Sequence, residues 1–106
     1  MSVIELYRFR VKPGQAAEVA VLERESNERV GRLGLPRGRM FNTAVGGDDT
    51  LSRILMIEYE DLRAWGDAMV KSLSAPDYAD FARKWFGPDA PVVLVSRSLL
   101  TEVSVG

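Results

Sequence analysis

The chain has 106 residues, 46% hydrophobic and 27% charged, which is enough for one core, too little for two, and too apolar for disorder. Its 14 basic and 15 acidic residues nearly cancel and are interspersed, so no polybasic stripe is present to bind nucleic acid or an anionic membrane. Cysteine and histidine are both absent, which removes thiol nucleophiles, disulfides, the commonest general base, the usual zinc ligand and the commonest haem ligand. No apolar run approaches the ~20 residues of a membrane span, and the start Met1-Ser2-Val3-Ile4-Glu5 lacks a targeting pattern. The expectation is one cytoplasmic domain over 1–106 with no metal, no cofactor, no nucleic acid and no membrane partner.

Val3 to Val11 is rich in β-branched and aromatic residues and stops at Lys12-Pro13-Gly14, the pattern of a strand ending in a turn. From Gln15 the spacing becomes helical, with Val19, Leu22, Ser26, Val30 and Leu33 three or four apart, and Gly34 with Pro36 ends it. Arg39 to Val45 and Leu51 to Glu60 read as antiparallel strands joined by Gly46-Gly47-Asp48-Asp49-Thr50. Asp61 is a plausible N-cap for a helix carrying Leu62, Trp65, Met69 and Leu73 on one face. Ser74-Ala75-Pro76 interrupts it, and Tyr78, Phe81, Ala82 and Trp85 define a further stripe, so a bent helix or two short ones is expected. Val92 to Val105 is β-rich over fourteen residues, where strands usually run about five or six. That length suggests a strand reaching beyond its own sheet to another subunit.

This order predicts an α+β, ferredoxin-like βαββαβ fold: a four-stranded antiparallel sheet with its helices on one face. The inner strands carry apolar residues at both parities, Val3, Tyr7 and Phe9 against Ile4 and Leu6, and Leu55 and Ile57 against Ile54 and Met56. A sheet with one wet face alternates more cleanly, so a homodimer burying the second face, an α/β barrel, is expected.

Glu5-Leu6-Tyr7-Arg8-Phe9-Arg10-Val11-Lys12-Pro13-Gly14, followed by a helix, resembles the opening of NIPSNAP-like proteins in the dimeric α/β-barrel superfamily, which also holds the antibiotic-biosynthesis monooxygenases. Ala75-Pro76-Asp77-Tyr78-Ala79-Asp80-Phe81 is similar to that family's proline and aromatic motif, and the order of elements agrees over nearly the whole chain. The resemblance implies a pocket between sheet and helices used for polycyclic phenols, haem or small metabolites. The haem-degrading branch has an asparagine on the first strand and a downstream histidine. Here Trp65 matches that branch's tryptophan, but Tyr7 or Arg8 stands where the asparagine would be, and the histidine's region holds Arg83 and Lys84.

Several residues have a chemical and a plain reading. Trp65 and Trp85 either stack on a flat ligand or pack the core. Tyr7 and Tyr59 either donate to a substrate oxygen or are half-buried packing residues. Asn42 either orients a ligand carbonyl or points outward beside the hairpin. Glu5 and Glu58 are strand carboxylates suited to proton transfer if desolvated, with Arg8, Arg53 and Arg97 as partners; salt-bridged sheet surfaces explain the same letters.

Phosphate-loop, dinucleotide and calcium-loop spacings are missing, Asp77 with Asp80 reads as a surface helix pair, and the serines have no histidine to activate them. Two functions fit. One is an enzyme on an aromatic or carbonyl metabolite, a cofactor-independent monooxygenase or an isomerase, with Glu58, Tyr59 and Arg97 catalytic and Tyr7, Asn42, Trp65 and Trp85 binding substrate. The other is a non-catalytic dimer that binds a ligand or a protein.

Overall fold

In the computed structural model, residues 2–43 and 52–103 are described. Strand β1 (Val3–Val11) lies between β3 (Ser52–Tyr59) and β4 (Val92–Thr101), and the short β2 (Arg39–Asn42) extends the sheet on the far side of β3. The strand order is β2-β3-β1-β4 with every pairing antiparallel, as the ferredoxin-like reading requires. The expected loop at Gly46 to Thr50 lies outside the described residues.

Alternation along β1 sets the two faces of the sheet. Val3, Glu5, Phe9 and Val11 are buried on one face. There Phe9 and Val11 pack with Val19 and Leu22 of helix α1 (Ala16–Leu33) and with Trp85 of α3 (Tyr78–Phe86). Val3 and Tyr59 pack instead with Ala68 of α2 (Leu62–Leu73). All three helices therefore cover one face, and the domain is only 19 Å thick, one sheet and one helical layer. On the opposite face Ile4 and Leu6 sit beside Met56 and Ile54, with Phe41 42% and Leu100 45% exposed.

Local chemistry ends the helices where the sequence indicates. Gly34 adopts a left-handed conformation (φ 66°), and the Leu35 and Gly34 amides donate to the Val30 and Gly31 carbonyls, a Schellman cap that glycine enters without steric cost. Asp61 caps α2 by accepting from the Ala64 amide at 2.7 Å. The interruption at Ser74-Ala75-Pro76 resolves into two separate helices.

The final strand differs from the sequence reading. β4 ends at Thr101, and β1 pairs with it from Val92 to Thr101, accommodating one extra residue at a bulge between Arg8 and Phe9. Its length thus matches its neighbour and carries no argument for crossing to another subunit. What remains unusual is its exposure: Val93, Val95 and Leu100 are all at least 45% exposed on an edge strand.

Two glycines separate helix propensity from packing. An added Cβ at Gly66, inside α2, meets nothing within 4 Å, whereas one at Gly87 drives into the Arg83 carbonyl that accepts the Gly87 amide. Gly66→Ala is expected to stabilise the fold by about 1 kcal/mol, and Gly87→Ala to destabilise it by about 1–3 kcal/mol. Urea denaturation of the two variants checks both signs.

Candidate functional site

The core is divided. One buried cluster centres on Phe9 and Trp85, the other on Val3 and Tyr59, and between them lies a cavity of about 350 Å³. Its walls are mostly apolar, supplied by Leu55 and Ile57 of β3, Met69 and Leu73 of α2, and Phe81 and Trp85 of α3. An apolar pocket with a few convergent polar groups is the usual form of a small-molecule site. A smaller groove of about 210 Å³ between α1 and α3 is lined by charges of both signs.

The convergent groups belong to β1, β3, β4 and α2. Glu5, only 1% exposed, points from the centre of the sheet into the helical layer. Its Oε2 accepts from Arg97 Nη2 at 2.6 Å and Nε at 3.1 Å, and from Trp65 Nε1 at 3.1 Å. Its Oε1 accepts from the Tyr59 hydroxyl at 3.5 Å, and the Tyr7 hydroxyl also hydrogen-bonds the carboxylate. A carboxylate this deep persists because a guanidinium and further donors compensate its desolvation. Arg97 in turn lies over the Tyr7 ring at 5.3 Å and donates to Met69 Sδ at 3.5 Å.

Both phenols are held in their neutral form. Burial, then the Glu5 charge, pushes Tyr59 from 10.0 up to about 12, with Arg97 opposing. Burial and Glu5 likewise push Tyr7 well above its ordinary value, again against Arg97. The cavity therefore presents phenolic O–H donors beside a charge-balanced carboxylate and guanidinium.

Among the expected site residues, Tyr7, Tyr59, Trp85 and Arg97 line the cavity, and Trp65 stands at its edge holding Glu5. Trp85 is core, 5% exposed with its ring 5.1 Å from Phe9, and it walls the cavity from that position. Glu58 does not join them. It pairs with Ile4 on the outer face and is exposed, because antiparallel register puts neighbouring positions on opposite faces. Glu5, opposite Ile57, takes the inward place, so the carboxylate of the site is Glu5 and the Glu58 assignment is corrected. Asn42 is likewise outside: it is exposed at the end of edge strand β2 opposite Arg53, beyond the segment of β3 that walls the cavity.

Arg29 was missed. It lines the cavity and is 6% exposed. A signal was present, since Arg29 follows Leu22 and Ser26 at i+7 and i+3 on the buried stripe of α1. Asp77 is not merely a surface partner of Asp80; it binds Arg29 at 3.2 Å and Arg32 at 2.6 Å. Among the described residues no group of three acidic side chains is placed to hold a metal ion, and no helix is long and apolar enough to cross a membrane.

The ferredoxin-like fold is shared with NIPSNAP-like and antibiotic-biosynthesis-monooxygenase-like proteins, and solved structures of both kinds superpose on this chain over nearly its full length. A NIPSNAP-like domain protein from Burkholderia xenovorans superposes with a TM-score of 0.70 at 22% identity, covering 99% of this chain and 88% of that one. A NIPSNAP family protein from Agrobacterium tumefaciens gives 0.70 at 18% identity, over 99% and 96% of the two chains. A variant of SnoaB, a cofactor-independent oxygenase from Streptomyces nogalater, gives 0.65 at 18% identity, over 98% and 95%. At such identities the likeness is one of fold. No family model matches the sequence, and no curated protein matches it.

The raised phenol of Tyr59 has a consequence for stability. The unfolded chain ionises this group near 10.0 and the folded one at about 12, so between those values the folded state binds more protons. Its contribution to stability is complete below pH 10 and is lost as pH rises through about 12. Tyr59→Phe is expected to flatten the decline of unfolding free energy over that window, as measured by denaturant titration at successive pH values. Glu5→Gln, which removes the second-largest cause, is expected to narrow the window without abolishing it.

Proposed function

We propose that this chain binds an aromatic or carbonyl-bearing small molecule in the sheet-helix cavity, its rings against Leu55, Ile57, Phe81 and Trp85 and one oxygen toward Tyr7, Tyr59 and Arg97. The observation that carries this is the meeting of Glu5, Arg97 and two neutral phenols at one end of an otherwise apolar cavity. Donors aimed at one point in a largely apolar pocket recognise a carbonyl or phenol oxygen and stabilise charge developing on it.

Proton transfer is the chemistry these residues support. Glu5 Oε2 is held by Arg97 and Trp65, while the Tyr59 contact to Oε1 is long at 3.5 Å, so Oε1 is the oxygen placed to accept a ligand proton. A phenol or enol deprotonated there becomes an electron-rich anion, the starting species for either isomerisation or oxygenation without a cofactor. The oxygenase outcome is supported by the SnoaB fold likeness. In this reading Arg97, Tyr59 and Tyr7 hold the anion, Glu5 moves the proton, and Trp65 is a positioning residue that fixes Glu5.

The test is saturable quenching of tryptophan fluorescence by naphthol, tetralone and naphthoquinone. Arg97→Met should weaken binding by about tenfold, the usual scale of a hydrogen bond to a charged group. Absence of binding by every one of these compounds overturns the reading.

The assembly proposed for this unit is a homodimer through the open sheet face. Ile4, Leu6, Ile54, Met56, Phe41 and Leu100 supply the apolar surface that the helices leave uncovered. Met56→Lys is expected to convert the dimer to monomer in sedimentation-velocity measurements, with helical circular dichroism retained. A wild-type chain that sediments as a monomer contradicts the assembly.

A further inference from the structure

The cavity has a second polar end, which the reading above leaves unused. Arg29 reaches it from the buried stripe of α1 with 6% of its surface exposed. Its Nε donates to Asp77 Oδ1 at 3.2 Å, its Nη1 to Ser72 Oγ at 3.0 Å and its Nη2 to the Ser72 carbonyl at 2.9 Å. The guanidinium also lies over the Phe81 ring, 4.3 Å from its centroid. A guanidinium carries five N–H donors. These three bonds leave one donor on each terminal nitrogen without a protein acceptor among the described residues. Buried donors are ordinarily satisfied, so a buried fork with donors to spare beside a cavity is suited to a ligand acceptor.

The two ends differ in how their arginines are held. Glu5 engages Arg97 at both Nη2 and Nε, whereas at the other end Asp77 is shared between Arg29 and the more exposed Arg32 and meets Arg29 at Nε alone. The further acids on α1 and α3 beside Arg29 are Glu25, Glu28 and Asp80, of which Glu25 and Asp80 are engaged by Lys84 and Arg83. A planar guanidinium with a donor to spare on each terminal nitrogen matches the two oxygens of a carboxylate, whereas the paired Glu5 and Arg97 end matches a neutral oxygen.

We propose that Arg29 is the second anchor of the cavity and that its ligand is an elongated aromatic acid, with its carboxylate on Arg29 and a phenol or carbonyl oxygen at the Glu5 end. This inference rests on the small-molecule reading above and adds polarity, length and charge to it. Arg29 becomes the residue that determines specificity.

Three probes separate the two ideas: naphthol, naphthoic acid, and a hydroxynaphthoic acid with its two groups at opposite ends of the ring system. By fluorescence titration the wild-type protein should bind the hydroxy acid at least about tenfold more tightly than naphthol, the scale of an added charge-assisted hydrogen bond. Arg29→Gln should bring the hydroxy acid to the affinity of naphthol while leaving naphthol itself unchanged. Arg97→Met should weaken naphthol and the hydroxy acid and spare naphthoic acid.

Equal or weaker binding of the hydroxy acid by the wild type overturns the proposal while leaving the cavity reading intact. So does an Arg29→Gln variant that weakens both compounds alike, the behaviour of a merely structural residue. Binding of none of the three overturns the proposal, and if tetralone and naphthoquinone also fail to bind, the cavity reading falls with it. Arg29→Lys keeps the charge if the glutamine variant fails to fold, and the wild-type ratio decides the matter if neither folds.

Discussion

A carboxylate at the centre of a sheet, turned into the helical layer, is the constraint around which this molecule is organised. Glu5 is 1% exposed, and an isolated charge so deep would cost several kcal/mol. Its compensation comes from three other elements: Arg97 of β4, Tyr59 of β3 and Trp65 of α2. Each is drawn toward one point, so the polar end of the cavity and the local packing of β1 against its neighbours are one arrangement. A site held from four elements of a sheet and helix scaffold is rigid in the way recognition of a small planar molecule requires.

The cavity follows from the division of the core. Phe9 and Trp85 fill one end of the sheet-helix layer, and Val3, Tyr59 and Ala68 fill the other. Glu5 and Tyr7 occupy the middle of β1, where a continuous core would place aliphatic side chains. Polar groups with their own partners do not close the gap as leucine or isoleucine would, and the space between the clusters persists.

The two sides of the sheet play different parts. The helix-covered side carries the carboxylate, the phenols and Arg97 of the cavity; the uncovered side carries Ile4, Leu6, Ile54 and Met56. This separation lets the uncovered apolar face and the lining of the cavity share the same strands without sharing residues. One step along the strand decides which is which, and for that reason Glu58, opposite Ile4, and Glu5, opposite Ile57, have such different surroundings.

The amino-acid sequence by itself determined the elements, their order and the ends of the helices. Periodicity, Lys12-Pro13-Gly14, the Gly34 cap, Asp61 and the Ser74-Ala75-Pro76 break are local signals, and local signals can be read from letters alone. It also supplied four members of the cavity lining, Tyr7, Tyr59, Trp85 and Arg97, because aromatic and charged residues on strands and stripes stand out by type.

Only the tertiary structure chose between Glu5 and Glu58, since the choice depends on which parity of β1 and β3 the helices cover. Only the structure excluded Asn42, which lies at the wrong end of an edge strand, and found Arg29, whose partners Ser72 and Asp77 are more than forty residues away. Register and long-range pairing are set by contacts between distant segments, and no spacing along one segment encodes them.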